Sequence, residues 1–242
     1  MSHENQVLAI DAGNTSIKVA QFRNDNLVDV HRFQLVELSE FTSWIDSIGE
    51  YHSIVSSVLS VNDTEILLNE LKNPLLVDNN CSFPIELDYE TPETLGIDRI
   101  CNAVFASIHA KTSNAVCIDL GTCIKFDLTV SSCYKGGSIA PGIDLRYQSL
   151  NDYTGNLPLL SNKSLPNLVG TSTNLSIQSG VMRGIQAEIN QLIQQYEKQF
   201  DDLTFFMTGG DASSFDIESK NDIFADENLT LKGLYEIYKH NA

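Results

Sequence analysis

Positive charge is what this sequence most lacks. Its 15 lysines and arginines face 32 aspartates and glutamates, for a net charge of −17. Such a surface repels phosphate backbones, and no basic stripe with interleaved aromatics relieves it, so nucleic acid is not an expected partner. No apolar run is long enough to cross a bilayer, and the first ten residues, MSHENQVLAI, lack the basic and apolar segments of a signal peptide. Neither a membrane partner nor export is expected, and a cytoplasmic location is. No C-x-x-C pair occurs among the five cysteines, Cys81, Cys101, Cys117, Cys123 and Cys133. An odd, unpaired set reads as reduced thiols serving as small hydrophobes. A Walker A loop and a strand–G-x-G-x-x-G–helix unit are also missing, which sets aside the P-loop and Rossmann routes to nucleotides. An anionic substrate would have to be held by local cations or backbone N–H groups against the overall field.

What is present is the material of a globular α/β protein: 42% hydrophobic residues and 19% charged, in a chain of 242 residues that can bury one large core or two small ones. Three strands are predicted at the start, Val7–Ile10, Ile17–Phe22 and Leu27–Phe33, joined by DAGNTS and RNDN, where Gly and Asn tolerate positive φ. Phe41, Trp44, Ile45 and Ile48 follow at helical spacing, with Ser39 as a candidate N-cap. A strand in HSIVSSVLS, a helix in NDTEILLNELK and a strand in PLLVDNN complete an α/β alternation. After a loop with Pro84, Pro92 and Gly96, the apolar positions Ile97, Ile100, Cys101, Val104, Phe105 and Ile108 mark an amphipathic helix.

The sequence then begins again. AVCIDLGTCIKFDLTV repeats VLAIDAGNTSIKVAQF, with one residue fewer in the turn, so that Asp11 corresponds to Asp119, Gly13 to Gly121 and Lys18 to Lys125. Two copies at this distance imply duplicated domains rather than a solenoid. The expected division is 1–112 and 113–242, the second half carrying a turn at SSCYKGGSIAPG, a polar loop to about Gly170, a helix from Asn174 to Phe200, the strand of LTFFMTGGDAS and a closing helix.

Both turns have the makings of phosphate sites. Small residues expose consecutive backbone N–H groups, Gly13 lets an anion approach, Asn14, Thr15 and Ser16 add side-chain donors, Lys18 adds charge, and Asp11 can hold Mg²⁺ through water. The same residues are also ordinary hairpin chemistry, and it is their repetition that favours phosphate. Two such turns facing each other across a cleft would grip a triphosphate. A third feature is GIDR, residues 96–99. Asp98 in the first turn of a helix is either a complement to the helix dipole or a base that orients a substrate hydroxyl. Arg99 is either a surface charge or a grip on an anionic group.

DAGNTSIK, Y-x₆-GIDR, DLGT, GGSIAPG, GTSTNLSIQSG and TGGDA occur here in the order found in the type III pantothenate kinases, and the resemblance runs over essentially the whole chain. That family resembles the acetate- and sugar-kinase, Hsp70 and actin superfamily. The fold it implies is α/β, two duplicated ribonuclease-H-like domains with a nucleotide cleft between them. The activity it implies is phosphorylation of pantothenate by ATP, the first step toward coenzyme A. On the matching motifs, the resemblance places Asp11, Ala12, Gly13, Asn14, Thr15, Ser16, Ile17 and Lys18 with Thr122 against ATP. It places Tyr89, Gly96, Ile97, Asp98 and Arg99 against pantothenate, with Asp98 as proton acceptor. Thr173 would contact pantothenate from the other subunit of a homodimer, and Asp119 would bind a monovalent cation, K⁺ or NH₄⁺, alongside Mg²⁺. Gly137, Pro141 and Gly142 look like a loop shaping the cleft, and Thr208 to Asp211 like the segment beside the nucleoside. The sequence departs from the family where DLGT continues as CIKFD: Lys125 stands where a small polar residue is usual, either offsetting negative field near the nucleotide or facing solvent. A kinase for another small hydroxylated substrate and a non-catalytic ligand-binding regulator of the same fold are the alternatives.

Overall fold

A computed structural model describes residues 6–13, 16–34, 38–78 and 80–242. The chain forms two compact units, one holding the chain up to Phe105 together with Asn228–Ala242, the other Ala106–Glu227. In the first, β1 (Gln6–Ala12), β2 (Ser16–Arg23) and β3 (Asn26–Gln34) form an antiparallel meander. Helix α1 (Leu38–Ser47) leads to β4 (His52–Ser57), parallel to β1, and α2 (Val61–Asn69) to β5 (Pro74–Leu76), parallel to β4. The sheet order is β3-β2-β1-β4-β5. A two-residue strand, β6 (Glu86–Leu87), precedes α3 (Ile97–His109), and the division between units falls inside that helix.

The second unit repeats the plan. Strands β7 (Asn114–Leu120), β8 (Cys123–Val130) and β9 (Cys133–Pro141) form the meander. Helices α4 (Ile143–Asp152) and α5 (Thr173–Gln199) lead to β10 (Leu203–Thr208), and β11 (Ile223–Ala225) follows. Strands β7, β10 and β11 are mutually parallel, and among this unit's own strands the order is β9-β8-β7-β10-β11, matching that of the first unit. The duplication reaches fine detail. β1 and β7 share one burial pattern, buried on both faces as central strands are, with only Gln6 and Asp11, and correspondingly Asn114 and Asp119, less buried. The β2–β3 turn uses positive φ at Asn24 and Asp25, and the β8–β9 turn uses it at Ser131 and Ser132. A ladder irregularity falls between Gln21 and Phe22 in one copy and between Leu128 and Thr129 in the other, again equivalent positions.

Each unit has its own core. Leu8, Ile10, Ile17, Val19, Phe41 and Ile45 anchor the first, and Ile118, Phe126, Met182, Ile185, Ile189 and Phe205 the second. The last helix, α6 (Leu229–Asn241), was expected to close the second half but belongs to the first unit. Its Tyr235 ring stacks on Phe22 at 3.9 Å, and a Cβ on Gly233 would sit 1.9 Å from the carbonyl oxygen of Cys101, so only glycine lets it lie this close to α3. Two further expectations change. Ser39 lies inside α1, its carbonyl accepting from the Ser43 hydroxyl at 2.8 Å, rather than capping it. The stretch expected as a turn and cleft loop, Gly137 to Pro141, is strand β9 paired with β8, and Gly142 is the N-cap of α4.

Candidate active site

The first hairpin is tighter than the sequence suggests. Asp11 and Ala12 end β1 and Ser16 begins β2, with Asp11 directly across from Lys18 and Ala12 from Ile17. Asn14 and Thr15 lie outside the described residues. The Gly13 N–H donates to the Ser16 carbonyl at 3.0 Å, so this group closes the turn instead of facing outward. Ala12 and Ile17 are fully buried and serve the core, and the Ala12 carbonyl accepts from Val58 N–H at 3.0 Å, tying the hairpin to the end of β4. Ser16, also buried, accepts from Arg32 Nε at 3.1 Å.

Helix α3 brings the GIDR segment to the same end of this unit. Burial first of all, and then the nearby carboxylates of Asp11 and Asp98, push the pKa of the Cys101 thiol up and keep it protonated. Asp98 is half-buried and folds back over Gly96: a Cβ there would meet its Oδ1 at 2.5 Å. Arg99 is only 5% exposed, which removes the reading of it as a surface charge. Tyr89 is half-buried just after β6. A cavity of about 610 Å³ opens at Gly96 and Ile97, walled by Val58, Leu59, Val77 and Leu95, large enough for a small organic molecule. No motif singles out Val58 and Leu59. The signal was there: they follow a parallel strand, where α/β sheets bind ligands, and Val58 and Val61 remain 53% and 79% exposed.

The second hairpin is pinned from two sides. Gly121 N–H donates to the Cys123 carbonyl at 3.2 Å, and the exposed Thr122 accepts from Gly142 N–H through its carbonyl at 2.9 Å. Across the turn, Asp211 N–H donates to the Leu120 carbonyl at 2.9 Å, and Gly209, at φ +98°, lies where a Cβ would be 2.3 Å from that same oxygen. Asp119 stands opposite Lys125 on β8 and beside Thr208 on β10. Lys125 Nζ lies 2.6 Å from Asp119 Oδ2, and the two side chains are 14% and 13% exposed. Of the two readings of Lys125, facing solvent is therefore the one that fails. At this separation, an effective dielectric of ~20 gives an attraction of about 6 kcal/mol before desolvation is counted.

Lys163, in a loop whose sequence suggested only polarity, bridges Asp144 and Asp211 at 2.8 Å each. Burial lowers its proton affinity, but the two carboxylates outweigh this and the net shift is upward. Thr173 is exposed at the start of α5, where Ser172 caps by accepting from Leu175 N–H at 3.3 Å. Gly180 and Gly184 are also exposed, and a Cβ at either meets nothing within 4 Å, so packing inside this chain does not require them. All five cysteines are free thiols. Among the described residues no helix is long and apolar enough to cross a membrane, and no three His, Cys, Asp or Glu side chains gather as a metal site.

Comparison with known proteins points one way. The family model described as type III pantothenate kinase matches residues 7–195. A type III pantothenate kinase of Christiangramia forsetii is 40% identical over 238 residues, 97% of this chain and 98% of the relative. One from Bacteroides fragilis is 37% identical over 97% of this chain and 98% of its own length. Among solved structures, a conserved protein from Campylobacter jejuni, described as of the Baf transcriptional activator family, superposes with a TM-score of 0.65 at 22% identity, covering 98% of both chains. A polyphosphate/ATP-glucomannokinase from Arthrobacter gives 0.51 at 13% identity, over 98% of this chain and 99% of its own. At such identities these two show a shared fold and carry no argument for regulation or for a sugar substrate.

Proposed function

Because the chain belongs to the type III pantothenate kinases, an enzyme family whose reaction is the phosphorylation of pantothenate on the way to coenzyme A, we propose that it transfers the terminal phosphoryl group of ATP to pantothenate and that Asp98 orients the acceptor hydroxyl. One observation carries this assignment: Asp98, at the head of α3, and Asp11, at the end of β1, both lie close enough to the same buried thiol, that of Cys101, to raise its pKa. The candidate base and the candidate phosphate turn therefore share one end of one unit. A half-buried carboxylate suits the task, since phosphoryl transfer depends on positioning the hydroxyl and stabilising charge more than on early proton removal.

The remaining roles are those the resemblance implies. In this reading the segment from Asp11 to Lys18 binds ATP, with Ala12 and Ile17 supporting it from the core, and Thr122 is a further ATP contact. Arg99, withdrawn from water, is suited to hold the pantothenate carboxylate, with Tyr89 and residues 96–98 around the rest. The apolar walls of the neighbouring cavity match the geminal methyl groups of that substrate. Mg²⁺ fits Asp11, a half-buried carboxylate at the end of β1; when bound with the nucleotide it supplies charge neutralisation at the phosphates. The exposed Gly180 and Gly184 face of α5 and the exposed Thr173 at its start suit a homodimer in which Thr173 reaches the partner's substrate. A cytoplasmic location is part of the same reading. The monovalent cation that the resemblance attaches to Asp119 does not fit as well. That carboxylate is already engaged by the Lys125 ammonium, and a second cation about 4 Å from it would meet a repulsion of roughly 4 kcal/mol at an effective dielectric of 20.

The test is incubation of the purified protein with ATP, Mg²⁺ and pantothenate, following phosphopantothenate by mass. Asp98→Asn is expected to keep the fold and ATP binding and to lose most turnover, because the amide presents an N–H where the hydroxyl proton must be accepted. Full activity in Asp98→Asn would remove the assignment.

A further inference from the structure

We infer that the ammonium of Lys125 is a built-in monovalent cation, standing at Asp119 in place of a dissociable K⁺ or NH₄⁺, so that this enzyme works without either. Four observations support it. Lys125 and Asp119 are directly opposed residues of neighbouring antiparallel strands, which puts both side chains on the same face of the hairpin. Their contact is 2.6 Å, and each side chain is about seven-eighths withdrawn from water, so dissolved ions screen the pair little. The turn that carries the pair is fixed by hydrogen bonds from Gly142 to Thr122 and from Asp211 to Leu120, which leaves it little freedom to rearrange around an incoming ion. The chain as a whole is strongly acidic. A covalently tethered ammonium supplies positive charge beside the phosphate turn without being drawn from solution, and it neutralises Asp119 at the same time.

A lysine ammonium and a free NH₄⁺ ion carry the same charge and the same donor type. The lysine makes the exchange intramolecular, at an effective concentration that no dissolved salt reaches. What the turn gives up is response: an enzyme of this construction cannot be tuned by the potassium level.

The inference rests on the kinase reading above, and its test separates the two. Turnover of the wild-type protein is measured with K⁺, NH₄⁺, Na⁺ or tetramethylammonium as the sole monovalent cation at one ionic strength, and ATP affinity is measured by calorimetry in the same four salts. Both quantities are expected to agree within about twofold across the series. Lys125→Met, which keeps the length of the stem and removes the charge, is expected to bind ATP at least tenfold more weakly in tetramethylammonium and to recover part of that loss in K⁺ or NH₄⁺. Lys125→Ala, with more room beside Asp119, is expected to recover more, and thermal unfolding of both variants establishes that they are folded. A wild-type protein whose ATP affinity or turnover drops tenfold without K⁺ overturns the inference. So does a folded Lys125→Met that matches wild type in every salt. Absence of phosphopantothenate in all four salts would instead count against the kinase reading, while the ATP affinities would still decide the role of Lys125.

Discussion

Gly142 is the most informative single position for testing how the second turn is held. Its backbone, at φ −75° and ψ −172°, is open to any L-residue, so a substitution there is not opposed by conformation. Space opposes it. An alanine Cβ would lie 2.2 Å from the carbonyl oxygen of Gly121 and 2.7 Å from that of Thr122, both backbone atoms, whereas folded proteins essentially never bring a Cβ within 3.0 Å of a neighbour. The turn must therefore retreat by nearly an ångström, and the Gly142–Thr122 hydrogen bond, 2.9 Å long, is stretched in the process. Overpacking of this kind costs about 1–3 kcal/mol, which for a domain of this size lowers the melting temperature by roughly 2–12 °C. A displacement of this order at a reacting site costs on the order of a hundredfold in rate. Gly142→Ala should then lose kcat/KM for phosphopantothenate formation by about two orders of magnitude with a modest loss in thermal unfolding temperature. Gly180→Ala serves as the control: it has open space around it and trades an exposed helical glycine for alanine, which should stabilise by roughly 1 kcal/mol. Wild-type kcat/KM and melting temperature in Gly142→Ala would refute the idea that the Thr122 turn is held by close backbone approach.

Gly96→Ala should separate activity from stability: the only side-chain atom its methyl group displaces severely is the mobile carboxylate end of Asp98, 2.5 Å away, so turnover should fall at least tenfold while the urea midpoint stays near wild type. An equally active variant would show that the folded-back position of Asp98 is immaterial. Alkaline pH should destabilise the first unit through Tyr235, whose hydroxyl is pushed up by burial and by its 2.6 Å hydrogen bond to Asp25 Oδ1. With the folded pKa above the unfolded one, this stability is fully present below about pH 10 and is lost as pH rises from there toward the folded value. Urea unfolding between pH 9 and pH 11 should show that decline, shallower in Tyr235→Phe; stability that rises above pH 10 would reverse the sign of the argument.

Much of this was legible in the sequence because the informative patterns are local. The short apolar runs of the strands, the asparagine and aspartate at the tight turn after β2, and the repeated Asp-x-Gly before Lys18 and Lys125 each sit within a few residues of one another. Their structural counterparts are the paired registers Asp11–Lys18 and Asp119–Lys125. What was not legible depends on partners distant in the chain. Nothing near Arg99 says that it is buried, since the covering residues come from elsewhere in the fold. Nothing near Gly233 says that its missing Cβ is needed by Cys101, so α6 was grouped with the half it follows rather than the half it packs on. Lys163 looked like one polar loop residue among several, because its partners Asp144 and Asp211 lie 19 and 48 positions away. Gly137 to Pro141 looked like a loop because glycine and proline usually interrupt strands; here β9 keeps both, and a Cβ at Gly137 would lie 1.6 Å from the Phe126 carbonyl oxygen.

The two hairpins share a register, and their first strands share a burial pattern, while the described contacts around them differ. At the first, a Cβ on Gly13 would sit at an ordinary 3.4 Å from the Ser16 carbonyl oxygen, and the anchors named are one bond to Val58 at the strand end and one from the Arg32 side chain to Ser16. The second is enclosed by Gly142 on one side and Gly209 on the other, each at a distance that excludes any side chain, and it carries a largely buried ion pair. Duplication supplied two equivalent turns, each with an aspartate opposite a lysine. Fixing one of them around its own lysine removes the need for a cation from solution there.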